Sequence, residues 1–431
     1  MIKPGEQILT AVAAAENGDI FDLHGYGAAG FSGDQPVLLT RSQTICLPHG
    51  SELMLLPDRF PIVYNLAADR FETLTCNPFA PDEKIFPVAV FNSPGYVNRH
   101  FCAYEALPQA RPLPLFSYGA VGFGKTSFRS AALQVDAEPR QDLRQMPQKK
   151  VRQGVDRLQK KYPDNRLMRH LETCALHYGC PAGKNFFLRR YEAPLPTSRV
   201  CNADCLGCIS LQTGTGVHAC QDRIAFTPTA REIAEVGLEH IRHVSRAVVS
   251  FGQGCEGEPL TAFHVILPAI RMIREATDQG TINLNTNASL PDRVKSLCTQ
   301  GLDSMRVSMN SVRKKNYTAY FRPRSYAWED VLQSIDTARE HGKFVAVNYL
   351  NCPGVTDSKK EVAALFDFIR THDINMIQWR NLNFDPRQYV AAMAAAAPGG
   401  PPLGMAGVIQ ALKQEFPRLI HGYFNPPRER F

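Results

Sequence analysis

No apolar run in the 431 residues approaches the roughly 18 residues that a membrane-spanning helix needs. The apolar stretch at 8–15 is short and meets Glu16 and Asn17 where a cleaved leader carries small residues, so no signal peptide is expected. A disulfide framework is also missing. Of 12 cysteines, nine are well separated and three crowd into eight residues, which suits thiol chemistry or metal binding in a reducing compartment. A cytoplasmic protein is the expectation. Outside one segment there is little excess of either charge. The net charge is +7, yet residues 141–199 alone carry thirteen Lys or Arg against five Asp or Glu. No stacking motif or zinc-finger spacing accompanies that stretch. Its two readings are solvated helix faces and a surface for an anionic partner, nucleic acid or acidic protein.

What is present divides into three textures. Residues 1–140 show short apolar runs (20–23, 37–39, 53–56, 60–64, 86–91) broken by Gly, Pro, Asn and Asp, the pattern of a β-rich domain. Residues 141–192 read as a basic helical connector. Val151, Val155 and Leu158 share one helix face, and Leu167, Leu171 and Cys174 repeat it after Pro163. Residues 193–390 alternate apolar strands (247–251, 282–284, 305–307, 344–347, 376–379) with amphipathic helices, one opened by the capping-box pair Thr229 and Glu232. Six strand–helix units imply an α/β fold with a parallel sheet, open or closed, whose site lies at the carboxyl ends of the strands. A short helix and a polar tail fill 391–431.

Cys201-Asn-Ala-Asp-Cys205-Leu-Gly-Cys208 follows directly on the first of these strands. Three thiolates on one tight loop converge on a soft metal site. An iron–sulfur cluster, zinc with Cys220 or His218 as fourth ligand, and unligated thiols are the readings that spacing leaves open. Further motifs end the later strands. They are Gly252-Gln-Gly-Cys-Glu256-Gly257-Glu258-Pro259, then Asn283-Leu-Asn285-Thr286-Asn287, then Arg306-Val-Ser308-Met-Asn310.

In this order the motifs resemble the radical S-adenosylmethionine (SAM) superfamily, over residues 193–390. The resemblance implies a partial (β/α)6 TIM-like barrel. It implies that Cys201, Cys205 and Cys208 each bind one iron of a [4Fe–4S] cluster, with the fourth iron left to the amino and carboxylate groups of SAM. Gly257, Glu258 and Pro259 match the motif that holds the SAM ammonium group, with Glu256 where a glycine is usual. Asn285, Asn287, Ser308 and Asn310 stand at positions for the SAM ribose and carboxylate. Gly207 stands where an aromatic residue is common. Reduced flavodoxin or ferredoxin is the implied electron donor. The implied activity is cleavage of SAM to a 5′-deoxyadenosyl radical that abstracts hydrogen from a substrate, a peptide, protein or RNA among the options. The absence of cysteine after Cys352 argues against the cysteine-rich C-terminal extension of many peptide-modifying members.

Cys255, beside the proposed SAM loop, is the candidate catalytic thiol, as hydrogen-atom donor. Ligation of a second cluster and plain packing are its other readings, and Cys174, Cys180 and Cys220 are further candidates for an auxiliary cluster. Tyr349, Trp379 and Arg380 are candidates for the substrate pocket. Two N-terminal strings offer other functions. Residues 119–126 fit the P-loop pattern G-x4-G-K-[ST], which would make the chain a nucleotide-binding protein. Asp22-Leu-His24-Gly-Tyr-Gly27 is similar to a cobalamin-ligating motif, which would make it a cobalamin-dependent radical SAM methyltransferase. For both, β-turns are the competing expectation.

Overall fold

A computed structural model describes residues 5–212 and 216–431. The N-terminal region is an antiparallel network of short strands. The apolar run at 8–15 becomes strand Thr10–Ala14, paired with the long strand Ile20–Ser32. Gln35–Leu38, Glu52–Leu55, Arg59–Asn65 and Phe86–Phe91 form where the short apolar runs predict them.

This region corrects both alternative readings. The P-loop string is a β-hairpin: Val121–Phe123 pairs antiparallel with Phe128–Ser130, and the Gly124 amide donates to the Ser127 carbonyl at 2.8 Å. A phosphate-cradling loop needs a helix after its lysine, and here a strand returns instead. Asp22, His24 and Gly27 lie inside Ile20–Ser32, an antiparallel strand rather than the α/β domain that the cobalamin motif requires. His24 is exposed beside Asp22 at 3.5 Å.

Three helices follow: α1 Gln148–Lys161, α2 Arg166–Leu176 and α3 Pro181–Phe187. Asn165 caps α2, accepting from the Met168 amide at 3.0 Å. The apolar faces of α1 and α2 are fully buried, each aliphatic side chain contributing about 1.5–3 kcal/mol. Part of the connector's positive charge is neutralised inside the molecule. Arg166 pairs with Glu232 at 2.7 Å, and Lys161 and Arg189 pair with Glu239 at 2.6 and 3.2 Å.

The remaining chain builds a parallel sheet in chain order: β1 Glu192–Pro194, β2 Val248–Phe251, β3 Thr281–Thr286, β4 Ser304–Met309, β5 Phe344–Asn351, β6 Met376–Asn381 and β7 Ile420–Gly422. Helices α4 Ala230–His243, α5 Phe263–Ala276, α6 Pro291–Thr299, α7 Lys314–Phe321, α8 Trp328–Glu340 and α9 Lys359–His372 connect the strands. The capping box of α4 forms as expected, Thr229 and Glu232 bonding each other's backbone amides. Strands β2 and β3 are buried on both faces, as parallel strands between helices must be. Six strands match the repeat read from sequence. The seventh comes from the segment read as tail, because three residues, Ile-His-Gly, carry no apolar run. Among the described residues β7 does not pair with β1, so the barrel is partial. No helix among them is long and apolar enough to cross a membrane.

The N-terminal region docks over the carboxyl ends of β5 and β6. Asn381 Oδ1 accepts from the Asn98 amide at 2.8 Å, Asn351 Nδ2 donates to the Asn98 carbonyl at 2.8 Å, and Tyr104 donates to Asp385 at 2.7 Å.

Candidate active site

Directly after β1 the chain enters the cysteine loop. Its backbone is tied to the end of α7: the Asp204 and Leu206 amides each donate to carbonyls of Phe321 and Tyr320 at 3.0 Å. The loop is tied on its other side to the end of β3. Asn287 donates to Asn202 Oδ1 at 2.8 Å, and Asn202 donates to Ser289 at 2.8 Å. Cys201, Cys205 and Cys208 all line a cavity of about 540 Å³ at the carboxyl ends of the strands. Burial pushes the Cys201 thiol up to about 11 and Cys205 well above the ordinary thiol range, so without metal both stay protonated at neutral pH. Arg223 donates toward the Cys208 sulfur at 3.5 Å and to Ser210 at 3.1 Å.

The three sulfurs, among the described residues, are not all within 4.8 Å of one another. Neither proposed fourth zinc ligand joins them. Cys220 is exposed and donates to the Leu115 carbonyl at 3.0 Å, and His218 is exposed.

The turn after β2 packs against the residues that lead into the cysteine loop. Gly257 and Glu258 donate their amides to the Ser198 and Val200 carbonyls at 2.7 and 2.8 Å. A Cβ on Gly257 would lie 2.1 Å from the Val200 carbonyl oxygen, so only glycine permits this contact. Glu256 holds the turn in shape. One carboxylate oxygen accepts from the Thr197 and Ser198 amides at 2.8 and 2.9 Å; the other accepts from the Gly252 and Gln253 amides at 2.7 and 2.8 Å. The departure from the glycine motif is therefore a carboxyl brace that accepts from four backbone donors. Glu258, almost fully buried on the cavity wall, accepts from the Asn287 amide at 2.8 Å, the Leu260 amide at 3.1 Å and the Thr286 hydroxyl. Burial outweighs these donors and lifts its carboxyl to about 7.

Gly257, Pro259, Asn285, Asn287 and Ser308 line the same cavity. Asn310 and Cys255 do not. Asn310 lies past the end of β4, where strand parity no longer fixes direction, and donates to Tyr389 and the Asn316 carbonyl at 3.1 and 3.2 Å. Cys255 turns away from the cavity toward α2. Tyr349 and Trp379 are fully buried on the far faces of β5 and β6, while Arg380, one residue on, faces the cavity. Gly207 has no room for an aromatic side chain: a Cβ there would lie 2.8 Å from the Tyr320 hydroxyl and 3.1 Å from the Asn383 carbonyl.

Two further residues bear on the site: Arg306, from the motif that ends β4, lines the cavity, and Asn425 lies outside its lining. Arg306 stands beside Arg380; burial first, then the neighbouring guanidinium, lowers it to about 9, and its Nε has no partner among the described residues. Asn425 lies beyond β7 yet donates to Glu192 at 2.8 Å and accepts from Gln378 at 2.9 Å, bridging β1 to β6 where the sheet does not close. Only the relation of Arg306 to Ser308, two residues apart on one strand, offered a sequence signal.

Arg223 yields a local prediction. Hydrogen bonds to a cluster's sulfurs raise its reduction potential. With a cluster on Cys208, Arg223→Ala would make its midpoint more negative in a spectroelectrochemical titration; an unchanged midpoint would count against Cys208 as a ligand.

Residues 195–368 match the family model described as the Radical SAM superfamily. Among solved structures, SuiB from Streptococcus suis is similar over 60% of this chain and 54% of its own, at 14% identity and a TM-score of 0.39. A radical SAM methyltransferase from Sphaerobacter thermophilus is similar over 52% of this chain and 63% of its own, at 18% identity and a TM-score of 0.38. The chain thus spans less than two thirds of either, and nothing about the reaction follows from them. No curated protein matches the chain.

Proposed function

With residues 195–368 a radical SAM domain and the chain an enzyme of that class, we propose that Cys201, Cys205 and Cys208 hold a [4Fe–4S] cluster and that the cavity beside them binds SAM. The donor set suits this. Three half-buried thiols line one cavity and, among the described residues, no fourth His, Cys, Asp or Glu ligand is grouped with them. When bound, the cluster supplies the electron for reductive cleavage of SAM to methionine and a 5′-deoxyadenosyl radical.

The protein's own residues bind, orient and exclude water. Glu258 is a buried carboxyl on the cavity wall, raised to about 7 by burial, and an ammonium group is the partner that would favour its anionic form. Asn285 and Ser308 offer hydroxyl-binding groups on the same wall. Arg306 and Arg380 make the opposite side cationic, which favours a carboxylate or phosphate on the bound molecules. The N-terminal region covers β5 and β6 and contributes Phe91, Asn92 and Ser117 to the lining, which points to a role in substrate selection. Reduced flavodoxin or ferredoxin is the proposed electron donor, and the basic face of the connector a surface for an anionic partner.

The observation that carries this reading is the meeting, in one cavity, of the three thiols with the Glu258 carboxylate. Anaerobic reconstitution tests it. About four irons per chain are expected in the wild type and loss of the cluster's visible absorbance in Cys205→Ala. Fewer than about three irons, or an unchanged spectrum in the variant, would defeat it.

A further inference from the structure

A second group of ligand atoms lies behind the turn that carries Glu258. The His170 imidazole, the Cys174 thiol and the Cys255 thiol all come within 4.8 Å of one another. His170 and Cys174 are four residues apart on α2, one helical turn, and so project from the same face. Their Nε2 and Sγ atoms are 3.6 Å apart. Cys255 comes from the turn after β2. Both thiols are nearly fully buried, 2% and 5% exposed. None of the three lines the main cavity, so the cluster–SAM reading makes no use of them.

We propose that His170, Cys174 and Cys255 form a Zn²⁺ site that clasps helix α2 to the turn Gly252–Pro259. Two thiolates and an imidazole are a preferred donor set for zinc, and a tetrahedral ion places such atoms roughly 3.5–3.8 Å apart. His170 and Cys174 already stand at this spacing, at 3.6 Å, and Cys255 completes the group within 4.8 Å. On binding, each thiol releases its proton to solvent, the imidazole coordinates in its neutral form, and water completes the fourth position. Cys180 is next to the site in the backbone, its amide donating to the Cys174 carbonyl at 2.9 Å. The ion ties the connector to the turn three residues before Glu258 and fixes the turn from behind. The inference does not depend on the cluster–SAM reading.

The test uses the full chain with Cys201, Cys205 and Cys208 all changed to Ala, so that the iron site contributes nothing. After metal removal by a chelator, Zn²⁺ is titrated against a chromophoric competitor under anaerobic conditions. One Zn²⁺ per chain is expected, with His170→Ala, Cys174→Ser and Cys255→Ser each weakening it about 100-fold or more. Co²⁺ in place of Zn²⁺ should give thiolate charge-transfer bands and tetrahedral d–d bands in the parent, a readout independent of how the variants fold. Absence of stoichiometric binding, a Co²⁺ spectrum without thiolate charge transfer, or undiminished affinity in Cys174→Ser and Cys255→Ser would overturn the proposal. So would a Cys174–Cys255 disulfide found by mass spectrometry in the anaerobically prepared protein.

Discussion

Glu256→Ala is expected to cost up to about 4 kcal/mol of stability. The side chain accepts from four backbone amides, those of Thr197, Ser198, Gly252 and Gln253, at 2.7–2.9 Å, and is 4% exposed. Leaving a buried donor unsatisfied costs about 1–3 kcal/mol, and water entering the space recovers part of that. Against a total stability of about 5–15 kcal/mol, the variant would be marginal. Glu256→Gln should fall between, because its amide presents one acceptor oxygen and one donor nitrogen to the same four donors. Chemical denaturation of the cluster-free chain measures this. A loss below about 1 kcal/mol for Glu256→Ala would mean that the brace is dispensable, and that a glycine there, as in the family's usual motif, would serve equally well.

The second large effect falls on ligand binding. Glu258→Gln removes the carboxylate that the proposed reading assigns to an ammonium, while keeping the volume. A hydrogen bond to a charged group contributes about 1.5–3 kcal/mol, so SAM should bind roughly 10–100-fold more weakly to the cluster-loaded variant. The pH dependence gives a sharper signature. Burial raises the Glu258 carboxyl from 4.5 to about 7, so it is neutral below that pH and anionic above it. An α-amino group is cationic below about 7.7–8.0. Affinity should therefore climb as pH rises through 7 and decline above 8, and the rising limb should vanish in Glu258→Gln. Equilibrium binding at several pH values would show it. A rising limb of the same height in the variant would assign it to another group.

The sequence shows the sheet clearly because β2 to β6 are apolar runs separated by amphipathic helices, a signal that survives without an alignment. The cysteine loop is equally legible, since its three thiols are local in the chain. Legibility fails where a role depends on distant partners. Glu256 reads as a departure from a motif until four amides from two segments are seen around it. Asn425 sits in a polar tail, and only the gap between β7 and β1 gives it a place. His170 looks like one more polar residue on a basic helix until Cys255 arrives behind it from the turn after β2. Two strings left open by local pattern are decided by strand pairing and alternation. The string 119–126 satisfies a local rule while strand pairing turns it into a hairpin. Trp379 stands next to a cavity residue in sequence but on the opposite face of its strand. Alternation along β6 assigns the cavity to Arg380.

The central claim is that the thiol triplet and the Glu258 cavity together cleave SAM. The most direct measurement is 5′-deoxyadenosine released from SAM by the reconstituted, reduced protein, quantified by chromatography with mass detection. The account predicts release above the level of an identically treated Cys205→Ala protein and lower release in Glu258→Gln. A wild type that carries about four irons and binds SAM, yet yields no more 5′-deoxyadenosine than Cys205→Ala, would contradict it.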